Sequence, residues 1–233
     1  MAISSIFPQA REVLANYNWV DVAAATGYIS YDVYKTVDST GITRMLMPTR
    51  EITNLYSQTY FTPVNLAAHF LYRGTATTST SYTKIFDLNF DLTEFQLPRT
   101  IKGLAHLKVG ISAYAAGAAV QQSYVYIIAK IRKWDGATET EIASVQSLTL
   151  NKDDLEKEIT YSLGITIPQT HFKKGEQLRL TIEGWGKTES GTDSLNIAVG
   201  GDPQDRGDSD GAHLNLTAGN SRIILNIPFK IEV

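Results

Sequence analysis

The feature that most constrains this chain is a two-residue alternation of apolar and polar side chains, which runs through residues 82–233 between turn signals. The last segment shows it best, because Ile223, Leu225, Ile227 and Phe229 recur at every second position. Successive side chains of a β-strand point to opposite faces, so these four residues share one face. The range contains no convincing helical period. The sequence therefore predicts an all-β fold, an antiparallel β-sandwich with jelly-roll-like connections.

The organisation of the chain follows from the same pattern. Residues 1–18 lack the alternation and predict a short N-terminal arm or helix, with Pro8 in its first turn. Residues 19–233 then form a single β-sandwich domain, since all-β domains of this size are common. The uncharged stretch 74–81 is interpreted as a flexible loop or a sub-boundary.

Composition excludes several classes of function. The formal net charge is −3 and charged residues make up 19% of the chain, with no basic run longer than two residues, so direct nucleic-acid binding is not expected. No apolar stretch approaches the roughly 20 residues that span a bilayer, so no membrane segment is expected. The absence of cysteine excludes disulfides, thiolate metal sites and a cysteine nucleophile.

Local signals place individual strands and turns. The strongest strand is predicted over residues 124–134, and Asp135-Gly136 predicts a hairpin turn after it. Residues 152–157 are compatible with one helical turn. A strand over residues 159–167 is expected to stop at Pro168, because proline cannot donate a backbone hydrogen bond to a neighbouring strand.

One acidic loop resembles a metal site. Asp202, Asp205, Asp208 and Asp210 lie within nine residues on a glycine-rich loop, and Ca²⁺ prefers such oxygen ligands. The spacing is not that of an EF-hand, because no glutamate follows at the last ligand position. The alternative interpretation is a solvated acidic surface loop. No cofactor is expected unless this loop binds Ca²⁺.

Catalytic signals are weak. Asp87, Asn89 and Asp91 share one face of a predicted strand, as the paired carboxylates of glycosidases do, but alternation with apolar residues also explains them as the wet face of that strand. The four histidines have no histidine partner at metal-binding or catalytic spacing: His69, His106, His171 and His213. We therefore expect no enzymatic activity and assign no catalytic residue.

Aromatic residues suggest a second kind of site. Trp19, Trp134 and Trp185, together with tyrosines such as Tyr124 and Tyr126, are compatible with a sugar-stacking platform. Tyr124, Tyr126 and Trp134 have the same parity on one strand. The competing interpretation is cross-strand aromatic packing or an inter-subunit contact.

Three stretches resemble virion structural proteins of bacterial or archaeal viruses. They are residues 86–92, the hairpin over residues 125–142, and Gly201-Asp202-Pro203 with the closing segment 226–231. The resemblance covers residues 82–233 and, more weakly, residues 19–47. It implies a capsid, capsid-decorating or tail-associated β-sandwich subunit of a bacteriophage or related virus, with no catalytic residues to transfer. It also implies a homo-oligomer whose partners are its own copies and other virion proteins, assembled in the host cytoplasm and located in the virion.

Two other functions remain open at this point. A carbohydrate-binding module, which would take a glycan and depend on Ca²⁺ at residues 202–210, predicts an exposed row of aromatic side chains. A glycosidase predicts two carboxylates about 5–10 Å apart in one cleft. Under self-assembly, Ile128 and Ile224 become interface candidates, because they lie on the faces opposite the expected core.

Overall fold

The computed structural model describes residues 26–32, 46–48, 71–92, 94–95, 98–116, 122–152, 156–201, 207–209, 211 and 213–230. In these ranges the regular secondary structure consists of strands, and none of it is a helix that would be long and apolar enough to span a membrane. The strands are β1 Thr26–Asp32, β2 Leu46–Pro48, β3 Leu71–Arg73, β4 Thr83–Leu92, β5 Arg99–Ala116, β6 Ser123–Trp134, β7 Glu139–Gln146, β8 Leu150–Lys152, β9 Glu156–Phe172, β10 Gln177–Thr188, β11 Ser194–Gly200, β12 Asp208–Ser209, β13 Asn215–Leu216 and β14 Ile224–Lys230.

The strands form two six-stranded antiparallel sheets and one two-stranded sheet. Sheet A has the order β1-β14-β5-β11-β3, and β9 pairs with the other edge of β5. Sheet B has the order β2-β4-β10-β6-β7, and β8 continues the line of β7 along β6. The small third sheet pairs β12 with β13.

Eight of these strands are paired in a nested order, if β7 and β8 are counted as one strand interrupted over residues 147–149. The first strand, β1, pairs with the last, β14; β4 pairs with β10; β5 pairs with β9; and β6 pairs with β7. Successive strands of this set cross between the sheets except at the β6–β7 hairpin. The nesting brings residues that are far apart in sequence onto neighbouring strands.

The core lies between the two sheets. On β6, Val125, Ile127, Ala129 and Ile131 are fully buried, as the alternation predicts. They belong to one continuous cluster with apolar residues of β4, β5, β9, β10, β11 and β14. Two antiparallel sheets that bury their inner faces against each other define a β-sandwich, so this part of the sequence prediction is confirmed.

Two local predictions were wrong. Strand β9 continues through Pro168 to Phe172, because Pro168 lies where the register with β5 shifts and no backbone donor is needed there. The helical turn predicted over residues 152–157 does not extend over that range, because Lys152 is the last residue of β8 and Glu156 is the first residue of β9.

A glycine inside a strand pattern predicts a bulge or a bend, and the two glycines of β5 at positions 103 and 110 have different roles. Gly103 has a φ of 124° and lies at the register shift with β9, so it forms a bulge. Gly110 instead allows a close approach, because a Cβ there would overlap the carbonyl oxygen of Asn220.

That close approach involves residues 213–221, which we call the strap, and which lie on the outer face of sheet A. Leu214 and Leu216 of the strap form a second small core with Leu71 and Ala198 of the sheet. The strap backbone is also hydrogen-bonded to the sheet, for example from Asn215 N to Ser112 Oγ at 3.0 Å. The strap, which follows the acidic loop in the chain, is therefore fixed to sheet A by apolar contacts and hydrogen bonds.

The predicted N-terminal arm, residues 1–18, lies outside the described residues. The stretch 74–81 is joined to both sheets by backbone hydrogen bonds, including Leu195 N to Thr77 O at 2.8 Å and Thr188 N to Ser79 O at 2.9 Å. The division of the chain into an arm and one domain stays a prediction.

Candidate functional site

The outer face of sheet B carries many charged and aromatic side chains, and it contains the carboxylates of β4 and most of the aromatic residues singled out in the sequence. Glu183 of β10 is at its centre and is only 3% exposed. Its carboxylate accepts hydrogen bonds from Lys130 Nζ at 2.8 Å and Trp185 Nε1 at 3.0 Å, and Lys84 Nζ lies 3.6 Å away. These neighbours give a buried carboxylate the partners it requires.

The pKa of Glu183 reflects two opposed effects. Burial is the largest single influence and would raise the pKa. The hydrogen bonds from Lys130 and Trp185, together with the positive charges of Lys130 and Lys84, outweigh it, so the pKa lies below its ordinary value. Glu183 is therefore a fixed negative charge at neutral pH, unsuited to act as a proton donor.

A second ion-pair group lies further along the same strand. Arg179 contacts Asp91 through Nε–Oδ1 at 2.7 Å and Nη2–Oδ2 at 2.9 Å, and its Nη1 lies 3.4 Å from Glu139 Oε1. The guanidinium carbon is 4.5 Å from the centre of the Trp134 ring. This combination of a bidentate ion pair and stacking is a geometry that lysine cannot reproduce.

The carboxylates considered for catalysis are held in these contacts. Asp87 pairs with Lys84 at 2.8 Å, Asp91 pairs with Arg179, and Asn89 accepts a hydrogen bond from Thr181 at 2.6 Å. Asp87 and Asp91 are four residues apart on one strand, or about 13 Å. That separation exceeds the range of a glycosidase pair. The geometry fits a rigid ion-paired surface rather than an acid–base pair.

Aromatic side chains gather at one end of the face. Tyr126 and Trp185 are cross-strand partners with nearly parallel rings 6.3 Å apart, and Tyr82 lies 5.0 Å from Tyr126. Lys187 Nζ lies 5.1 Å from the Tyr82 ring and 4.8 Å from the Tyr124 ring. Most ring faces in this group thus contact another ring or the ammonium group, and Tyr82 has the most exposed ring, at 38%.

The parity expected for Tyr124, Tyr126 and Trp134 is observed, but the three rings do not form one platform. Trp134 lies eight residues from Tyr126 on β6, or about 26 Å, and contacts Arg179 instead. Trp19 lies outside the described residues.

The histidines are dispersed in the described part of the chain. His106 is exposed on the outer face of sheet A, and His171 Nδ1 is 3.1 Å from Thr100 Oγ1. His213 stacks on Tyr114 at 4.1 Å, and its Nδ1 is 2.6 Å from Glu156 Oε1. His69 is outside the described residues.

The acidic loop is described only in part. Asp208 lies in β12, where its backbone pairs with Leu216, whereas Asp202, Asp205 and Asp210 lie outside the described residues. Within the described ranges no three His, Asp or Glu side chains are grouped closely enough to hold a metal ion. Calcium binding by this loop stays a prediction.

Comparison with known proteins gives no family. Neither a protein-family model nor a curated protein matches the chain. Among solved structures, an aminopeptidase from a marine sediment Thaumarchaeota archaeon is 10% identical over 87% of this chain, with a TM-score of 0.42. The N-terminal cellulose-binding domain of a Cellulomonas fimi glucanase is 10% identical over 76% of this chain and 91% of its own, with a TM-score of 0.24.

A pentameric capsid protein from metagenomic phage sequences is 15% identical over 53% of this chain and 72% of its own, with a TM-score of 0.14. The chain spans only 37% of the length of the aminopeptidase and 40% of that of a CocE/NonD family hydrolase from Staphylococcus aureus. All these TM-scores are below 0.5, so none of the likenesses carries an argument about function.

Several residues that organise the outer face of sheet B were not identified from the sequence. Arg179, Thr181 and Glu183 alternate with apolar residues along the strand, yet all three are buried. Lys187 and Tyr82 carried no pattern at all. The signal that the sequence offers is the alternation of polar and apolar residues in β10. This alternation predicts that one face of the strand is polar, but it does not predict that the polar side chains are buried.

Proposed function

We propose that this chain is a non-enzymatic virion structural protein that self-assembles or decorates a viral capsid. Its partners are copies of itself and other virion proteins, and its location is the virion. The proposal is supported chiefly by the nested strand order, in which β1 pairs with β14, β4 with β10, β5 with β9, and β6 with β7. A long hairpin of eight strands, paired four against four and folded into two sheets, has this order. The jelly roll has the same strand order, and viral capsid and lectin domains use that architecture.

The charged face of sheet B adds to this argument. Its buried charges, Glu183 and Arg179, are matched by ion pairs within the subunit. Side chains held in this way stiffen a surface without providing a reactive group. A structural subunit requires a rigid scaffold of this kind and no active site.

Solvent-facing leucines give the proposal an interface to test. Leu104 is 42% exposed on the outer face of sheet A, near Gly164 of β9, and Leu148 is 88% exposed between β7 and β8. Ile224 and Ile128, the interface candidates of the sequence, are half-buried on the outer faces of sheets A and B. Contact with a second subunit would remove the leucines from water, at about 25 cal/mol per Å² of apolar area.

The experiment compares the solution mass of the protein with that of Leu104→Arg and Leu148→Arg. Thr140→Arg, at an exposed position of β7, is the control for the added charge. We expect the wild type to form a discrete multimer or a shell-sized particle, one leucine variant to reduce it, and the control to leave it intact. A monomer at all concentrations, with folding unaffected, contradicts self-assembly as the main function.

Carbohydrate binding is the second candidate, and the observation that favours it is the aromatic group around Tyr82. A partly exposed tyrosine beside Lys187 offers a ring for stacking and a donor for sugar hydroxyls. A glycan panel tests it with Tyr82→Ala, and Trp134→Ala at the opposite end of the face is the matched control. Binding that Tyr82→Ala abolishes and Trp134→Ala retains supports this function; no binding by the wild type rejects it.

A further inference from the structure

Two buried side-chain oxygens at one end of the sandwich have no hydrogen-bond partner in the described part of the chain. They are Asp193 Oδ2, in a residue that is 3% exposed, and Ser123 Oγ, in a residue that is fully buried. Buried polar atoms almost always have a partner, and an unpaired carboxylate is the costliest exception. Each of these two atoms therefore requires an explanation.

The two residues belong to the same small region. Ser123, the first residue of β6, is the cross-strand partner of Thr188, the last residue of β10. Thr188 Oγ1 is 2.7 Å from Ser190 O, and the same carbonyl oxygen accepts a hydrogen bond from Asp193 N at 3.2 Å. The β10–β11 loop thus brings the backbone of Asp193 near Thr188, which is the strand partner of Ser123.

Backbone oxygens complete the region. Thr78 O and Ser79 O, from the segment before β4, lie 3.3 Å and 3.4 Å from Thr188 Oγ1. A hydroxyl group has a single proton, and Thr188 Oγ1 has its shortest contact with Ser190 O, so Thr78 O keeps its lone pairs. Ser79 O accepts a hydrogen bond from Thr188 N at 2.9 Å and keeps its second lone pair. The region is rich in oxygen acceptors and poor in donors.

We propose that this region is a Ca²⁺ site, with the Asp193 carboxylate as its charged ligand and the oxygens of Ser123, Thr188, Thr78 and Ser79 as neutral ones. Ca²⁺ takes six to eight hard oxygen ligands in flexible geometry and accepts backbone carbonyls readily. The ion would supply the partner that the buried carboxylate lacks. It would also tie the β10–β11 loop and the segment 77–79 to the start of β6.

The ligand set explains both the strength of the site and its absence from the sequence pattern. With a single carboxylate, the expected dissociation constant is about 10⁻⁴–10⁻³ M, the weak end of the range for calcium modules. Most of its ligands are backbone carbonyls and hydroxyls from three separate segments, so no cluster of acidic residues marks it. The site is independent of the acidic loop at residues 202–210.

The experiment measures the thermal midpoint of the full chain in chelator, in 5 mM Ca²⁺ and in 5 mM Mg²⁺. At a tenfold excess over the dissociation constant, Ca²⁺ should raise Tm by about 3–6 °C for a domain of this size. Asp193→Asn should remove the response, and it should match or exceed the wild type in chelator, because it removes an unpaired buried charge. The triple variant Asp205→Asn, Asp208→Asn, Asp210→Asn is the matched control and should keep the response.

Calorimetric titration with CaCl₂ gives the binding directly, and Ser123→Ala provides a second variant if Asp193→Asn does not fold. Ser123→Ala should weaken Ca²⁺ binding while leaving the protein folded in chelator. The proposal is overturned if the wild type binds no Ca²⁺ at 5 mM, since water would then be the partner of these oxygens. It is equally overturned if the response is lost in the triple variant and kept in Asp193→Asn.

Discussion

Replacing Gly110 by alanine tests whether the strap must lie directly on sheet A. A Cβ at this position would overlap the carbonyl oxygen of Asn220, and it would lie 2.9 Å from the Asn220 carbonyl carbon and 3.3 Å from Leu216 Cδ2. The overlapping atom belongs to the backbone, so no side-chain rotation relieves it. The variant can fold only if the strap moves away from β5.

The cost follows from the contacts that such a movement breaks. Thr160 Oγ1 donates to Asn220 Oδ1 at 2.6 Å, and Lys108 Nζ donates to Gly219 O at 2.6 Å. Losing two hydrogen bonds costs about 1–3 kcal/mol, and partial exposure of Leu216 costs about 1 kcal/mol more. Alanine lowers the entropy of the unfolded chain and returns about 0.4–1 kcal/mol. We therefore expect a net loss of about 2–3 kcal/mol in the free energy of unfolding.

Gly164→Ala is the matched control, on β9 of the same sheet. There the new Cβ would meet only the end of the Leu104 side chain, at 3.2 Å, and Leu104 is exposed and able to turn away. Urea unfolding followed by tryptophan fluorescence should place Gly164→Ala within about 0.5 kcal/mol of the wild type. Amide exchange over residues 213–221 should accelerate only in Gly110→Ala. Equal stabilities for the two variants would refute the reasoning.

Three further predictions concern the ion pairs of sheet B. Glu183→Gln should lower the free energy of unfolding by about 3–5 kcal/mol, because it leaves Lys130 without its buried partner. Glu141→Gln, at an exposed position 4.0 Å from Lys130, should lower it by less than about 1 kcal/mol, and urea unfolding of both variants measures the difference. The pKa of Glu183 is lower in the folded than in the unfolded protein. Its stabilising contribution is therefore complete above the unfolded pKa and is lost as the pH falls through the folded pKa. The loss of stability at acid pH should be less steep in Glu183→Gln, and an unchanged dependence of stability on pH would contradict this. Arg179→Lys should lower the free energy of unfolding by about 1–3 kcal/mol despite the retained charge, since lysine loses the bidentate contact with Asp91. A thermal midpoint equal to that of the wild type would show that the bidentate contact does not contribute to stability.

The strands could be predicted wherever the deciding information is local. The alternation on β6 gives both its extent and its buried face, and Asp135-Gly136 gives the hairpin, in which Asp135 Oδ1 accepts from Ala137 N at 2.9 Å. In such segments the side-chain pattern and the turn chemistry agree. A reader of the sequence needs no knowledge of the partner strands.

Predictions failed where a distant segment decides. Pro168 continues a strand because its position falls at the register shift with β5, some 65 residues earlier in the chain. Gly110 is required by the strap rather than by a bulge, which becomes visible only once residues 213–221 are placed on sheet A. Neither fact is contained in the local sequence.

The candidate sites show the same limit. The parity of Tyr124 and Tyr126 was correctly predicted, but their contacts with Lys187 and Trp185 depend on the pairing of β6 with β10. Asp193 carried no signal, because the oxygens proposed to join it as ligands come from separate segments and half of them are backbone groups. Acidic residues adjacent in sequence drew attention to residues 202–210 instead.

The most direct test of the proposed function is the mass of the purified protein in solution, measured by light scattering over a wide concentration range with Ca²⁺ and with chelator. Assembly as a virion structural protein predicts a discrete multimer or a shell-sized particle, well above the 25.7 kDa of a single chain. A strict monomer at every concentration, in both buffers, would contradict self-assembly as the main function of this protein.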